Sequence, residues 1–226
     1  MTQDIENPRA GSPGTQGGLR LLVLGATGGT GLEIVRQAVE RGHRVTAFVR
    51  SPARLKQFQG RITVEQGDLL NRAELQQVIP GHGAVLSGFG PRQPLSKADA
   101  NLLERFARAL TAAMPAAGVR RVIIESVAFL FKNSILPPAY VLGRLFFRRT
   151  VADASAMERI FAESELEWTM VRPPELTDGP CTGKYRVREG RLPLFGFKIA
   201  RADVADLMIN LAESRGSIRH VVGVSN

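Results

Sequence analysis

Cysteine is nearly absent. Cys181 is the only one in 226 residues, which excludes an intrachain disulfide and accords with a reducing compartment. Histidine is scarce, and His43, His82 and His220 are too scattered for a metal-ligand motif. Aromatic residues are 6% of the chain, with one tryptophan and two tyrosines. No basic run is interleaved with aromatics, which argues against a nucleic-acid reader even at a net charge of +9. No stretch reaches the roughly 18 uninterrupted apolar residues of a membrane span, so an integral membrane protein is not expected. The first residues carry Asp4 and Glu6 and no apolar run. No secretory signal is therefore expected, and the expected location is cytoplasmic.

What the chain does have is a 44% hydrophobic share, enough for the core of one domain. Residues 1–18 are rich in glycine, proline and small polar types and read as a flexible tail. Residues 19–226 read as a single domain. The scattered arginines give a basic surface suited to anionic ligands such as nucleotide phosphates.

Apolar runs and amphipathic runs alternate along that domain. Strands are expected near 20–24, 45–49, 62–66, 84–87, 121–125, 168–171, 184–188 and 219–224. Helices are expected near 30–41, 53–58, 71–77, 97–117, 148–164 and 202–213. The alternation predicts an α/β fold: a Rossmann-type, doubly wound, mostly parallel sheet with helices on both faces. Ligands of such sheets bind beyond the carboxyl ends of the strands. Residues 127–147 and 173–200 are expected as substrate-side loops.

The first strand runs straight into Gly25-Ala26-Thr27-Gly28-Gly29-Thr30-Gly31 and then a helix. Gly25 allows the tight turn, Gly28 the close approach of a phosphate, and Gly31 close helix–strand packing. Unpaired N–H groups and the helix dipole then favour a pyrophosphate. An NAD site usually has Asp or Glu at the end of the second strand, on the ribose 2′-hydroxyl. Here Arg50 and Ser51 stand there, with Arg54 one turn on. A guanidinium suits a 2′-phosphate, so NADP(H) is the expected cofactor. Asp68 and Leu69, after the third strand, read either as an adenine contact or as the cap of the next helix.

The glycine motif, Val49-Arg50-Ser51-Pro52, Gly67-Asp68-Leu69 and the run from Val171 through Pro173-Pro174 to Thr177-Asp178-Gly179-Pro180 resemble the atypical short-chain dehydrogenase/reductases. The similarity is to the NAD(P)H-binding group that includes NmrA-like proteins and the biliverdin IXβ (flavin) reductases. Arg201-Ala202-Asp203-Val204-Ala205 is similar to that group's penultimate-helix entry. The resemblance implies an NADPH cleft and hydride transfer to a flavin, quinone or tetrapyrrole-like acceptor. It also implies Thr27, Gly29 and Thr30 at the pyrophosphate, Gly88 and Phe89 along the ribose, and Ser126 and Pro173 near the nicotinamide. Val127 and Glu175 stand where biliverdin-reductase-like members carry serine and histidine.

Three candidate proton donors remain: Ser126, Glu175 (if buried) and Tyr140. Tyr140 is followed four residues later by Arg144, where classical short-chain enzymes have lysine. No metal is expected. The apolar segment 129–147 reads as pocket lining, a lid, a partner or dimer surface, or a membrane-surface contact. Two functions fit: an NADPH-dependent oxidoreductase acting on a planar small molecule, and a non-catalytic NADP(H)-sensing regulator or assembly protein.

Overall fold

The computed structural model describes residues 4–5, 18–90, 101–131 and 148–226. Its centre is β2, Arg20–Leu24, in which Leu21, Leu22, Val23 and Leu24 are all fully buried. An unbroken apolar run of this kind belongs to a strand covered on both faces. Around it lie β1 (Asp4–Ile5), β3 (Arg44–Val49), β4 (Thr63–Gln66), β5 (Ala84–Ser87), β6 (Arg121–Glu125) and β7 (Glu167–Arg172), with β9 (Arg186–Glu189) and β11 (His220–Ser225). Their order is β1-β9-β11-β7-β6-β5-β2-β3-β4. Every pairing from β11 through β7 to β4 is parallel, whereas β9 and β1 are antiparallel additions at one edge. From β2 the chain steps outward through β3 and β4, then returns to β5 on β2's other side. The switch point therefore lies between the carboxyl ends of β2 and β5, where α/β sheets bind their ligands.

Among the described residues, five α-helices cover the sheet: α1 (Gly29–Glu40), α2 (Arg72–Val78), α3 (Leu102–Ala113), α4 (Arg148–Glu163) and α5 (Arg201–Ser214). α1 and α5 pack on each other over one face, and α3 packs on α4 over the other. α1 buries Ile34, Val35 and Ala38 at helical spacing. α2 is capped by Asn71, whose side chain accepts from the N–H groups of Ala73 (3.0 Å) and Glu74 (3.4 Å). A 3-10 helix at Ala53–Phe58 buries Leu55 and Phe58 against the α1 side.

Three expectations are corrected. The helix expected from residue 97 begins at Leu102, preceded by Asn101 in the left-handed region (φ 53°). At the other end Pro115 turns the chain into a 3-10 helix, Pro115–Ala117. The stretch 173–200 is not simply loop: β8 (Glu175–Thr177) and β10 (Lys198–Ala200) form a small parallel sheet, and β9 lies between them in sequence. Within the expected tail, Asp4 and Ile5 pair with Arg188 and Val187. The rest of residues 1–17 lies outside the described residues, as do residues 91–100, where the start of the expected helix falls, and residues 132–147.

Candidate functional site

The glycine turn closes tightly on itself. Gly25 has φ +72°, and its carbonyl accepts from the Gly28 N–H at 2.8 Å. A Cβ at Gly31 would stand 2.1 Å from the Gly25 carbonyl oxygen, and one at Gly25 would stand 2.7 Å from the Phe89 nitrogen. A Cβ at Gly88 would lie 2.9 Å from the Gly31 nitrogen. Three glycines thus let the end of β5 approach the first turn of α1 backbone to backbone. Gly28 has no side chain to cap α1, and the first turn contains no acid. Its N–H groups remain an anion receptor at the positive end of the helix dipole.

Two cations flank this receptor. Arg54 bends back and donates to the Thr27 carbonyl at 2.7 Å. Arg201 lies over Gly29, its Cδ only 2.5 Å from where a Gly29 Cβ would be, and donates to Asp178 at 2.6 Å. Arg50 and Ser51 are exposed at the end of β3. Among the described residues the Arg50 side chain has no hydrogen-bond or ion-pair partner. Asp68 is exposed, but its Oδ1 accepts from the Leu70 N–H at 3.0 Å. Leu69 is buried in the core beside Phe48 and Leu75. Asp68 therefore does not cap α2, whose cap is Asn71, and Leu69 is a core residue as it stands. Phe89 is half-buried and its ring sits 4.9 Å from that of Phe106.

Across the switch point, β6 delivers two residues. The Thr30 hydroxyl donates to Glu125 Oε1 at 3.1 Å, beneath the glycine turn. Burial pushes the Glu125 carboxyl up to about 7, opposed by the Thr30 hydrogen bond and the Arg201 charge. The next residue, Ser126, is buried and donates its hydroxyl proton to Glu158 Oε1 at 2.5 Å. Arg172, at the end of β7, grips both oxygens of Glu158 and stands 4.5 Å above the Phe131 ring. The buried Pro173 accepts from the Ala128 N–H at 3.1 Å, fixing the two strand ends together. Beside this network, at the amino end of α4, is a cavity of about 600 Å³ lined by Leu130, Arg148, Val151, Ser155, Glu158 and Arg172.

The expected proton donors fare unequally. Ser126 is at the strand end, but its proton is committed to Glu158. Glu175 is exposed in β8, so the burial needed for an acid role is absent. Tyr140 lies outside the described residues. Glu125, Glu158, Arg172 and the Arg201–Asp178 pair were not singled out as site residues. Arg172, Asp178 and Arg201 had a sequence signal, through the two motifs that contain them. His43 bonds the Leu19 N–H and Glu213, and His82 bonds Thr46. Among the described residues no cluster of His, Cys, Asp and Glu is arranged to hold a metal.

The model of a family described as NAD(P)H-binding matches residues 25–215. A 3-diazoavenalumate denitrifying reductase from a Streptomyces species is 31% identical over 199 residues, covering 78% of this chain and 64% of the relative. The chain thus spans somewhat under two thirds of that protein. A Rossmann-fold NAD(P)-binding protein from Shigella flexneri is 26% identical with a TM-score of 0.68, over 92% of this chain and 93% of that one. An anaerobillin reductase from Escherichia coli O157:H7 shares the fold, at 22% identity and a TM-score of 0.73 over 91% and 96% of the two chains.

Proposed function

Because the chain belongs to the NAD(P)H-binding family, we propose that it is an NADPH-dependent oxidoreductase of the atypical short-chain type, reducing a planar acceptor such as a flavin or quinone. The observation that carries the reading is the uncapped amino end of α1 in its glycine cradle, with a guanidinium at the end of β3 that has no partner among the described residues. The N–H groups of the first turn of α1 hold the pyrophosphate, with Arg201 and Arg54 alongside. Arg50 and Ser51 take the 2′-phosphate, and Arg50 does so by its fork of donors. When bound, the nicotinamide supplies the hydride.

The chain's own residues shape the acceptor side. Ser126, whose hydroxyl donates its hydrogen bond to Glu158, presents lone pairs rather than a donor. Arg172, held between Glu158 and Phe131, fixes that wall of the cavity. A reduced flavin or quinone takes its proton from water, so no dedicated acid is needed. The same committed serine also favours the second reading, an NADP(H)-sensing regulator that binds and does not turn over.

Purified protein incubated with NADPH and a panel of flavins and quinones separates the two by loss of reduced-nicotinamide absorbance. Oxidation on any acceptor supports the enzyme; tight binding with no oxidation on the panel favours the sensor. Cofactor choice has its own test. Arg50→Asp weakens NADPH binding by about 10- to 100-fold, corresponding to loss of a charge-assisted contact of roughly 1.5–3 kcal/mol. It leaves NADH binding within about threefold, well inside the context dependence of such contacts. Equal losses for both cofactors would remove the 2′-phosphate assignment.

A further inference from the structure

Of the four exposed large apolar side chains among the described residues, three fall within one four-residue turn: Leu194 (64% exposed), Phe195 (83%) and Phe197 (64%). Single exposed apolar residues need no explanation, but a contiguous group does. The loop that carries them is firmly seated. Leu192 and Pro193 are buried beneath it. Arg186 donates to the Leu194 carbonyl (2.7 Å) and to the Asn226 carbonyl (2.8 Å), and the Glu175 N–H donates to the Phe197 carbonyl (3.2 Å). A Cβ at Gly196 would stand 2.1 Å from the Ser225 Oγ, so this glycine lets the loop lie directly on the end of β11. Phe195 itself is at φ +59°, the left-handed region that a bulky aromatic rarely occupies. Such a conformation persists only where the surroundings impose it. Here they impose it on the most exposed large apolar side chain described.

The charge around the turn is mostly positive, although the exposed Glu175 stands across from Lys198 in the β8–β10 pair. Residues 184–198 contain Lys184, Arg186, Arg188, Arg191 and Lys198 against the single carboxylate Glu189. Lys184, Arg191 and Lys198 are exposed. The loop sits beside Ser225 and Asn226, the carboxyl end of β11, which runs parallel to β7. It therefore lies toward the carboxyl ends of the parallel strands, the end at which the cofactor cleft also opens.

We propose that this loop is a membrane-surface contact, and that its partner is a bilayer rich in anionic lipid. Leu194, Phe195 and Phe197 enter the boundary between headgroups and acyl chains. Lys184, Arg191 and Lys198 lie over the headgroups. A second copy of this chain fits the patch poorly, because a two-fold contact would oppose two copies of the stretch 184–198, each with five cations and one carboxylate. The loop inserts without spanning, which matches the finding that no helix among the described residues is long and apolar enough to cross a membrane. The inference stands apart from the proposed reductase activity: vesicle binding and nicotinamide oxidation are separate readouts.

The test is flotation of the full chain with vesicles of phosphatidylcholine alone or with about 30% phosphatidylglycerol, the anionic component supplying the surface potential. Binding is expected to the anionic vesicles, at least about 10-fold weaker to phosphatidylcholine, and lowered when salt rises from about 0.1 M to about 0.5 M. The triple variant Leu194→Ser, Phe195→Ser, Phe197→Ser and the double variant Arg191→Glu, Lys198→Glu each lose about 10-fold or more. Their melting temperatures and NADPH affinities stay at the parent values, because these side chains are exposed and none of them forms or flanks the glycine turn. In Phe195→Trp the added indole emission shifts to the blue on anionic vesicles. Failure of the parent protein to float with anionic vesicles overturns the proposal, as does flotation that survives the triple variant. It is also overturned if the patch instead drives self-association in sedimentation, or retention on a single-stranded oligonucleotide, with no vesicle binding.

Discussion

Glu125 carries a charge in the wrong place for a site that binds an anion. Its carboxyl lies under the first turn of α1, bonded by Thr30, and burial raises its pKa from the ordinary 4.5 to about 7. In the unfolded chain the group ionises near 4.5, so between about pH 4.5 and pH 7 the folded protein binds more protons than the unfolded one. Stability is therefore fully present below about pH 4.5 and falls as pH rises through 7, by up to about 3 kcal/mol. Glu125→Gln removes this slope. The variant matches the parent below pH 4.5 and is more stable at pH 8, as urea melts at the two pH values will report. The same substitution strengthens NADPH binding at pH 8 and flattens its pH dependence, because a carboxylate no longer opposes the pyrophosphate. A variant whose stability tracks the parent at every pH would show that Glu125 titrates as it does in the unfolded chain.

Individual residues divide sharply in how far the sequence announced them. The glycine turn was legible because backbone geometry restricts Gly25 and Gly31 to one residue type, and the position of Arg50 at the end of β3 because its place after a strand is fixed by the motif upstream. Glu125 and Glu158 were not. Each looks like an ordinary polar residue, one closing a strand and one within an amphipathic helix. Their roles arise from tertiary neighbours 95 and 32 positions away. Glu175 shows the complementary limit: an acid in a motif position says nothing of its exposure, and this one faces solvent.

Among the elements, α5 shows how much of the fold rests on polar groups in the interior. Every residue from Ala202 to Ala212 is buried, including Asp203, Asp206 and Asn210. Asp203 accepts from the N–H groups of Thr182 and Gly183 and from the Thr182 hydroxyl, tying down the loop before β9. Asp206 accepts from Arg41 at the end of α1 and from the Tyr185 hydroxyl at 2.6 Å, and Asn210 donates to both Asp206 and Tyr185. Removing the carboxylate deprives a partly buried guanidinium and a buried hydroxyl of this partner. Asp206→Ala is thus expected to cost roughly 3–5 kcal/mol, against about 1 kcal/mol for Tyr185→Phe. Denaturant melts of the two variants measure the difference, and similar small losses would mean that the network adds little.

α3 is capped from outside its own sequence. Its Leu103 and Glu104 N–H groups donate to the Asp153 carboxylate of α4, both at 2.9 Å. Asp153→Ala should cost about 1 kcal/mol, within the range for lost caps, and lower the melting temperature without changing NADPH affinity. An unchanged melting temperature would mean that the first turn of α3 finds other acceptors. This cap also explains why the start of α3 was misplaced: the signal sits some 50 residues downstream. β8 and β10 were missed because three-residue strands show no periodicity, and they lie in a stretch rich in glycine and proline. The long parallel strands were legible because burial on both faces leaves them as unbroken apolar runs.

For the molecule as a whole, the question is whether the glycine cradle is a complete binding site in the isolated chain. A ligand that binds only the folded state stabilises it by RT ln(1 + [L]/Kd), about 2.7 kcal/mol at 100 times Kd. For a chain of this length that corresponds to a rise in melting temperature of roughly 5–10 °C. NADPH is expected to produce such a rise. NADH at the same concentration produces a smaller one, because Arg50 and Ser51 at the end of β3 would have no 2′-phosphate to hold. Arg50→Asp brings the NADPH shift down to the NADH level, and Gly31→Ala removes both, since its Cβ would occupy the space of the Gly25 carbonyl. The measurement is independent of turnover, so it applies equally to the reductase and to the sensor. Absence of any shift with either dinucleotide would mean that the cleft is incomplete in this chain alone. A full shift without oxidation of any acceptor in the panel would leave binding as the property of the fold and place the burden of function on what the protein contacts.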